Sequence, residues 1–339
     1  MKILLLTRKY FGTDGHSTVM NNIALSLIQK GVDVKIGAFD FIQDPPKQIP
    51  KLKLSLKDLI LFNKKINQFD LIHNFQGLTN YLSLFNKKPF IFHYLGAGSN
   101  LQILNLKVSR ILLKKSIKNY FASSTVSANQ LHDIMKIESE IVPLAVSPSF
   151  FNYKEKTNTV SNEILLLTIT RMIPYKRNEE LLNGFKKLLK NIPKARLQII
   201  GQGPQFSKIK DLIKELGISD KIELAGTVPH SDIKSKYLNC DVYISTSSKE
   251  AFPLPFIESM AIGKPVVASN IPIHEEIIKE SQGGEIYELG NIEDFVDKVT
   301  KVINNKIKYT QKSKEYVKKW NYENLGRLLI QKYSKLLEK

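Results

Sequence analysis

The sequence predicts an α/β protein built from two doubly wound parallel sheets, one in each half of the chain. Three observations carry this expectation. The chain has 339 residues, longer than a single hydrophobic core usually grows, so two domains of ordinary size follow. Short β-rich runs alternate with helical stretches, the rhythm of parallel strands joined by helical crossovers. That rhythm breaks once, between Pro143 and Asn162, in the polar, proline-containing stretch PLAVSPSFFNYKEKTNTVSN, and then restarts.

In the first half, KILLLT reads as a buried strand, STVMNNIALSLIQK as a helix closed by Gly31, and VDVKIGAF, DLIH, PFIFHYL and NYFAS as further strands. In the second half, EILLLTIT, ARLQIIG, KIELAG, DVYIST and KPVVAS repeat the pattern, each separated by a helical stretch. The expected organisation is a Rossmann-like domain over 1–148, a linker over 149–162 and a second Rossmann-like domain over 163–315. A C-terminal helical segment, 316–339, is expected to pack back on the first domain, with Trp320 as a packing residue. In sheets of this kind ligands lie beyond the carboxyl ends of the strands, so the two domains are expected to face a cleft, with the functional motifs just after strands.

Composition narrows the partners. Hydrophobic residues make up 42% and charged residues 24%, which is globular. The formal net charge is +18, from 50 basic and 32 acidic residues, and only six of the basic ones are arginine. Lysine spread along a chain signals a solvated surface rather than a nucleic-acid groove, so no nucleic acid is expected, while anionic ligands or an anionic surface are. Cys240 is the only cysteine, which rules out an internal disulfide and a thiolate metal cage and suits a reducing, cytoplasmic setting. No apolar run is long enough to span a bilayer, and the N-terminus lacks a signal-peptide pattern.

Four stretches carry chemistry. In STSSKEAFPLPFIESMAIGKPVVAS a strand ends, a loop bears Glu250, Pro255 fits the first turn of a helix that bears Glu258, and Gly263 ends that helix. Free amides at such a helix start can take a phosphate, and ionised carboxylates accept hydrogen bonds from the hydroxyls of a diol. A ligand with both groups is a nucleotide-sugar; the alternative is that the acids merely complement the helix dipole. After EILLLTIT, Arg171 and Lys176 form a cationic mouth suited to a diphosphate, or a solvated basic loop. Gly15 opens the first helix, and Gly201 and Gly203 follow a strand; each permits close approach to a ligand or simply makes a tight turn.

These stretches resemble, over nearly the whole chain, the retaining nucleotide-sugar glycosyltransferases of family 4, which have the two-domain GT-B fold. EAFPLPFIESMAIGKPVVAS resembles the family's EGFGLPxxEAMAxGxPVVAS, with its Glu-x7-Glu motif at Glu250 and Glu258, and Arg171 and Lys176 match GRLxxxKG. LQIIGQGPQ, IELAGTVPHSDI, YLNCDVYISTS and SNIPIHEEII follow in family order. The resemblance implies that Arg171 and Lys176 clamp the donor diphosphate, Glu258 accepts from the ribose and Glu250 holds hydroxyls of the transferred sugar. It implies that main chain around Ala251, Phe252 and Leu254, with Gly15 and Gly201, also meets the donor. It further implies no metal, no cofactor beyond the donor substrate, and a product that keeps the donor's anomeric configuration. The resemblance implies, too, that the departing phosphate takes the acceptor's proton and that Glu250 is not a nucleophile.

The chain departs from the family at several points. Ala251 and Pro253 replace frequent glycines, a family glycine pair is reduced to Asp14 and Gly15, and Leu144 and Ala145 stand in the usual PNG. The family's N-terminal-domain histidine falls in register on Leu95; His93, two residues earlier on the same strand face, is the candidate substitute, with a core histidine as the other reading. His73 in DLIHNF matches a further family position. Lys107, Arg110, Lys114 and Lys118 make a basic stripe on an expected helix, either a solvated face or a contact with an anionic membrane surface. The function these readings favour is sugar transfer to a hydroxyl of a glycan or lipid-linked carrier. The rival is a basic binding protein that keeps the fold without the chemistry.

Overall fold

Ile3, Leu4, Leu5 and Leu6 have no exposed surface, because the strand they occupy is covered on both faces, as a continuous apolar run requires. That strand, β1 (Lys2–Tyr10), lies inside a seven-stranded sheet in which every pairing is parallel. Its neighbours are β2 (Asp33–Phe41), β3 (Lys51–Lys53), β4 (Leu71–Asn74), β5 (Phe90–Tyr94), β6 (Asn119–Ala122) and β7 (Glu140–Ile141), in the order β3-β2-β1-β4-β5-β6-β7. The protein is seen here as a computed structural model that describes residues 1–12, 14–55, 62–75, 77–96, 100–113, 115–153 and 163–338.

Helix α1 (Gly15–Ile28) follows β1, capped by the Asp14 carboxylate, which accepts from the Ser17 amide at 2.9 Å. Gly31, at φ +77°, closes the chain reversal after it. Further on come the short α2 (Phe62–Ile66), α3 (Asn100–Leu113) and α4 (Thr125–Met135), the last held by a Ser124–Ser127 capping box. Of the basic stripe, Lys107 and Arg110 are exposed on α3 and Lys118 is exposed beyond it, while Lys114 lies outside the described residues.

The second sheet repeats the plan with six strands, all parallel. They are β8 (Ile164–Ile169), β9 (Ala195–Ile200), β10 (Ile222–Gly226), β11 (Val242–Ser245), β12 (Val266–Ser269) and β13 (Gly284–Tyr287), in the order β10-β9-β8-β11-β12-β13. Their crossovers are α5 (Asn178–Asn191), α6 (Phe206–Glu215), α7 (His230–Asn239), α8 (Leu254–Ala261) and α9 (Pro272–Ser281). Helices α10 (Ile292–Asn304) and α11 (Lys306–Val317) follow, with Phe295, Val296, Val299 and Val302 of α10 buried against the sheet. The strand order turns back between β8 and β11, so the crevice beyond their carboxyl ends is where such a sheet takes ligands. In both halves the fold is the doubly wound α/β class that the alternation of runs predicts.

Contacts divide the chain into one unit of Met1–Ser147 with Trp320–Lys339 and another of Pro148–Lys319. Residues 148–153, read above as mostly linker, belong to the second unit. Pro148–Phe150 make a 3-10 turn, the Phe150 ring lies 5.9 Å from Tyr237, and the Tyr153 hydroxyl donates to Ile262 O at 2.6 Å. The rest of that linker, 154–162, falls outside the described residues. The final helix, α12 (Tyr322–Leu337), packs along α1. Tyr322 donates to Asn22 Oδ1 at 2.6 Å, Asn22 Nδ2 donates to Ala145 O at 2.7 Å, and Val146 N donates to Trp320 O at 2.8 Å. Gly326 allows the close crossing, since a Cβ there would lie 2.6 Å from Ser26 O.

Candidate active site

The loop leaving β8 must turn sharply, because Pro174 lacks an amide and Pro174–Lys176 form one 3-10 turn ended by Arg177 at φ +49°. The loop leaving β11 is a polar run, Thr246, Ser247 and Ser248, and it stitches itself to that turn. Ser248 N and Oγ donate to Tyr175 O at 2.8 and 3.1 Å, and Thr246 Oγ1 donates to Lys176 O at 2.9 Å. Two strand ends are thereby fixed to each other, and the side chains they carry meet.

Lys176 Nζ and Glu250 Oε1 form an ion pair, each side chain 15% exposed. Ser247 Oγ donates to the same Oε1 at 2.9 Å. Among the described residues Oε2 of Glu250 makes no hydrogen bond, so the carboxylate keeps one oxygen for a ligand's hydroxyl. These groups line a cavity of about 40 Å³ together with Thr168, Thr170, Thr246, Phe252 and Pro255. It sits at the turning point of the strand order, at the carboxyl ends of β8 and β11.

Glu258, on the buried face of α8, does not line that cavity. Its Oε2 lies 3.1 Å from the Tyr237 hydroxyl, which also lies 2.9 Å from Pro255 O. Burial pushes the Glu258 carboxyl up to about 7, so it is close to half protonated at neutral pH. Arg171 is exposed at the end of β8 and, among the described residues, forms no ion pair.

Several expectations need correction. Gly201 is required by the protein's own backbone rather than by a ligand: at φ +134° a Cβ there would lie 1.8 Å from Thr170 O, and its amide is spent on Gly226 O at 2.7 Å. Gly203 likewise makes room for Met172 O. The Leu254 amide, expected to face a phosphate, donates to Phe252 O at 3.1 Å, and Pro253 and Pro255 have no amide to offer, so the start of α8 is poor in free donors. Ala251 and Phe252 remain on the loop that carries Glu250, and Phe252 lines the cavity.

His93 is not at a surface. It is fully buried in the first unit, stacked on His73 with ring centroids 5.2 Å apart, and burial pushes its pKa down to about 3. Tyr333 Oη lies 2.6 Å from His73 Nδ1, and His73 Nε2 lies 3.1 Å from His93 Nδ1. Donation along Tyr333, His73 and His93 in either direction keeps both rings neutral, and among the described residues the buried His93 Nε2 has no hydrogen-bond partner. A ring with no exposed surface touches no substrate, so His93 is the core histidine and not the catalytic substitute. Gly15 is different: it is exposed at the first position of α1, and a Cβ there would meet nothing within 4 Å. Neither packing nor backbone conformation demands a glycine at that point.

The groups that hold the site were unevenly legible in the sequence. The serine run after β11 was visible as polar residues at a strand's carboxyl end, a position where loops bind. Tyr237 and His274 gave no such signal. His274 stacks on Phe256 at 5.4 Å and accepts or donates at Ser269 and Ser245, with burial pushing its pKa down to about 4.

Residues 149–320 match the family described as Glycosyl transferases group 1, over just half of the chain and across every group that lines the cavity. The chain belongs to that family. As a glycosyltransferase it is 27% identical over 329 residues to an uncharacterized glycosyltransferase of Haemophilus influenzae, covering 88% of this chain and 89% of that protein. It is 26% identical over 207 residues to the alpha-monoglucosyldiacylglycerol synthase of Streptococcus pneumoniae, covering 58% of this chain and 47% of that protein. Among solved structures, Anabaena HepE in complex with UDP and glucose superposes with a TM-score of 0.82 at 17% identity, covering 99% of this chain and all of that one, a likeness of the two-domain fold.

Among the described residues no helix is long and apolar enough to cross a membrane, and no three His, Cys, Asp or Glu side chains gather as metal ligands.

Proposed function

We propose that this glycosyltransferase moves a sugar from a nucleoside-diphosphate sugar to a hydroxyl of a glycan or lipid-linked carrier, with retention at the anomeric carbon. The observation that carries the reading is the meeting of Lys176 and Glu250 in one cavity at the turning point of the second sheet. A cation and a carboxylate with one spare oxygen suit a phosphate and a sugar hydroxyl side by side. The UDP bound by HepE supports a nucleotide donor, and the lipid product named for the pneumococcal relative supports a lipid-linked acceptor.

In this reading Lys176 and Arg171 hold the diphosphate and offset the charge that grows on its bridging oxygen as the anomeric carbon–oxygen bond breaks. The acceptor oxygen bonds to that carbon on the face the phosphate leaves, and its proton passes to the departing phosphate. Glu250 orients the sugar through Oε2, and Glu258 accepts from the ribose diol once it is ionised. Gly15 lets main chain approach the donor. The cations do the work of a metal, and no cofactor is required.

The test is a panel of nucleotide-sugars scored by thermal stabilisation of the purified protein, followed by product analysis for anomeric configuration. One donor class should raise the melting temperature, and Lys176→Met and Arg171→Ala should each abolish that rise while the unliganded protein still melts cooperatively. Equal stabilisation of parent and variants, or a product of inverted configuration, overturns the assignment.

A further inference from the structure

The stretch SNIPIHEEII ends β12 and opens α9, and its histidine, His274, has no exposed surface. His274 does not line the cavity, but two of its contacts do. Its ring stacks on Phe256 at 5.4 Å, and its Nε2 lies 3.4 Å from Ser245 Oγ. The third contact is Ser269, whose main-chain O lies 3.1 Å and whose Oγ lies 3.3 Å from Nδ1. Ser269 Oγ donates to Ser247 O at 2.5 Å, and Ser247 Oγ donates to Glu250 Oε1 at 2.9 Å. A path of hydrogen bonds therefore runs from α9 to the carboxylate in the cavity, through residues that are all buried up to Glu250 itself.

The protons on this path follow from what each group can do. A carbonyl only accepts, so the imidazole proton sits on Nδ1 and is given to Ser269 O. The Ser269 hydroxyl spends its proton on Ser247 O, which leaves its oxygen facing the ring as an acceptor. Nε2 is then bare and accepts from the Ser245 hydroxyl. Burial, which holds the ring's pKa down at about 4, keeps it neutral. Packing alone does not call for such a ring, because phenylalanine would stack on Phe256 as well.

We propose that His274, as the neutral Nδ1–H tautomer, is the positioning residue for Glu250, fixing Ser269 so that the Ser247 hydroxyl aims the carboxylate. Lys176 takes the same Oε1, but an ammonium is a point charge that attracts without setting a direction. The hydroxyl supplies that direction, and Oε2 is left turned to the ligand. The inference rests on the sugar-transfer reading, in which Glu250 holds the transferred sugar.

Two measurements test it. In a long-range proton–nitrogen spectrum of the ligand-free protein, the His274 signal, identified by its loss in His274→Asn, should show a protonated Nδ1 and a bare Nε2. The opposite tautomer or a charged ring at neutral pH overturns the proposal. The second is steady-state turnover of whichever of UDP-glucose, UDP-galactose, UDP-N-acetylglucosamine and GDP-mannose best stabilises the parent. His274→Phe keeps the stack and loses the bonds, so kcat should fall roughly tenfold to a hundredfold. Affinity for the matching nucleoside diphosphate alone should stay within about twofold, since that ligand has no sugar for Glu250 to hold. His274→Asn, whose amide can donate to Ser269, should recover most of the rate. Ser269→Ala should reproduce the loss, and adding His274→Phe to it should cost little more, because members of one path are not additive. Ser269→Ala also carries the kinetic arm if His274→Phe fails to fold. Additive losses, no recovery with asparagine, or diphosphate binding weakened as much as the rate would make His274 a packing residue and overturn the proposal. Turnover that parent and variants share refutes this inference alone; a parent that turns over none of the four refutes the sugar-transfer reading, and this inference with it.

Discussion

The Glu258 carboxyl is buried on α8 beside Tyr237, and burial lifts its pKa from 4.5 to about 7. Below the ordinary value both folded and unfolded chains are protonated there, and the group has no effect on stability. As pH rises from 4.5 towards 7 the unfolded chain releases its proton and the folded chain keeps it, so stability falls through that window and then levels. The difference corresponds to roughly 3 kcal/mol. Glu258→Gln should therefore melt higher than the parent at about pH 8 and nearly match it at about pH 4, while losing donor stabilisation because a neutral amide is a poorer partner for a diol. Melting curves that stay parallel across that range would show that the buried carboxyl is not the group responsible. The sequence marked this residue by its spacing from Glu250 but held no sign of Tyr237, which approaches from α7 only once the second unit is packed.

Two glycines at element ends make a paired test of structural against ligand-driven requirements. Gly201, after β9, has φ +134° and no room for a Cβ, so Gly201→Ala should cost more than about 3 kcal/mol or leave the protein insoluble. Gly15, at the start of α1, faces open space without left-handed geometry, so Gly15→Ala should leave the melting temperature within about 2 °C of the parent's. If main chain meets the donor there, the same change should still weaken donor stabilisation; unchanged donor response would remove Gly15 from the site. From sequence the two looked alike, each a glycine after a strand. The strand runs themselves were legible because parallel sheets bury both faces and leave near-continuous apolar stretches such as Leu4–Leu6 and Val266–Val267. The edge strands β3 and β7 were not, since three and two residues of half-exposed KLK and exposed EI carry no pattern. His93 failed for a related reason: alternation put it on a strand face but could not tell which face was closed over by Phe75, Phe121 and Tyr333.

At the scale of the molecule, the first unit is made from both ends of the chain. Leu325, Leu329 and Tyr333 of α12 are buried, and Tyr333 holds His73 inside the first sheet. Ending the chain after Lys319 should leave the second unit able to fold and expose the α1 flank that α12 covers, giving a protein that aggregates through its first unit. Limited proteolysis should then degrade residues 1–147 and spare a fragment over 148–319; resistance of the whole truncated chain would show that α12 is dispensable. The sequence conveyed that the tail is helical and amphipathic. It could not convey the partner, because the match of Gly326 to Ser26 depends on how closely two distant helices cross.

That same return of the tail sets an order of events during synthesis. Residues 1–147 are translated before Trp320–Lys339, so the helix that covers α1 is made only after the whole second unit. A nascent chain can finish its second unit first, while the α1 flank stays uncovered until α12 has been made. The first unit is therefore the last to close, and any delay in making α12 prolongs the interval in which its bare flank needs protection.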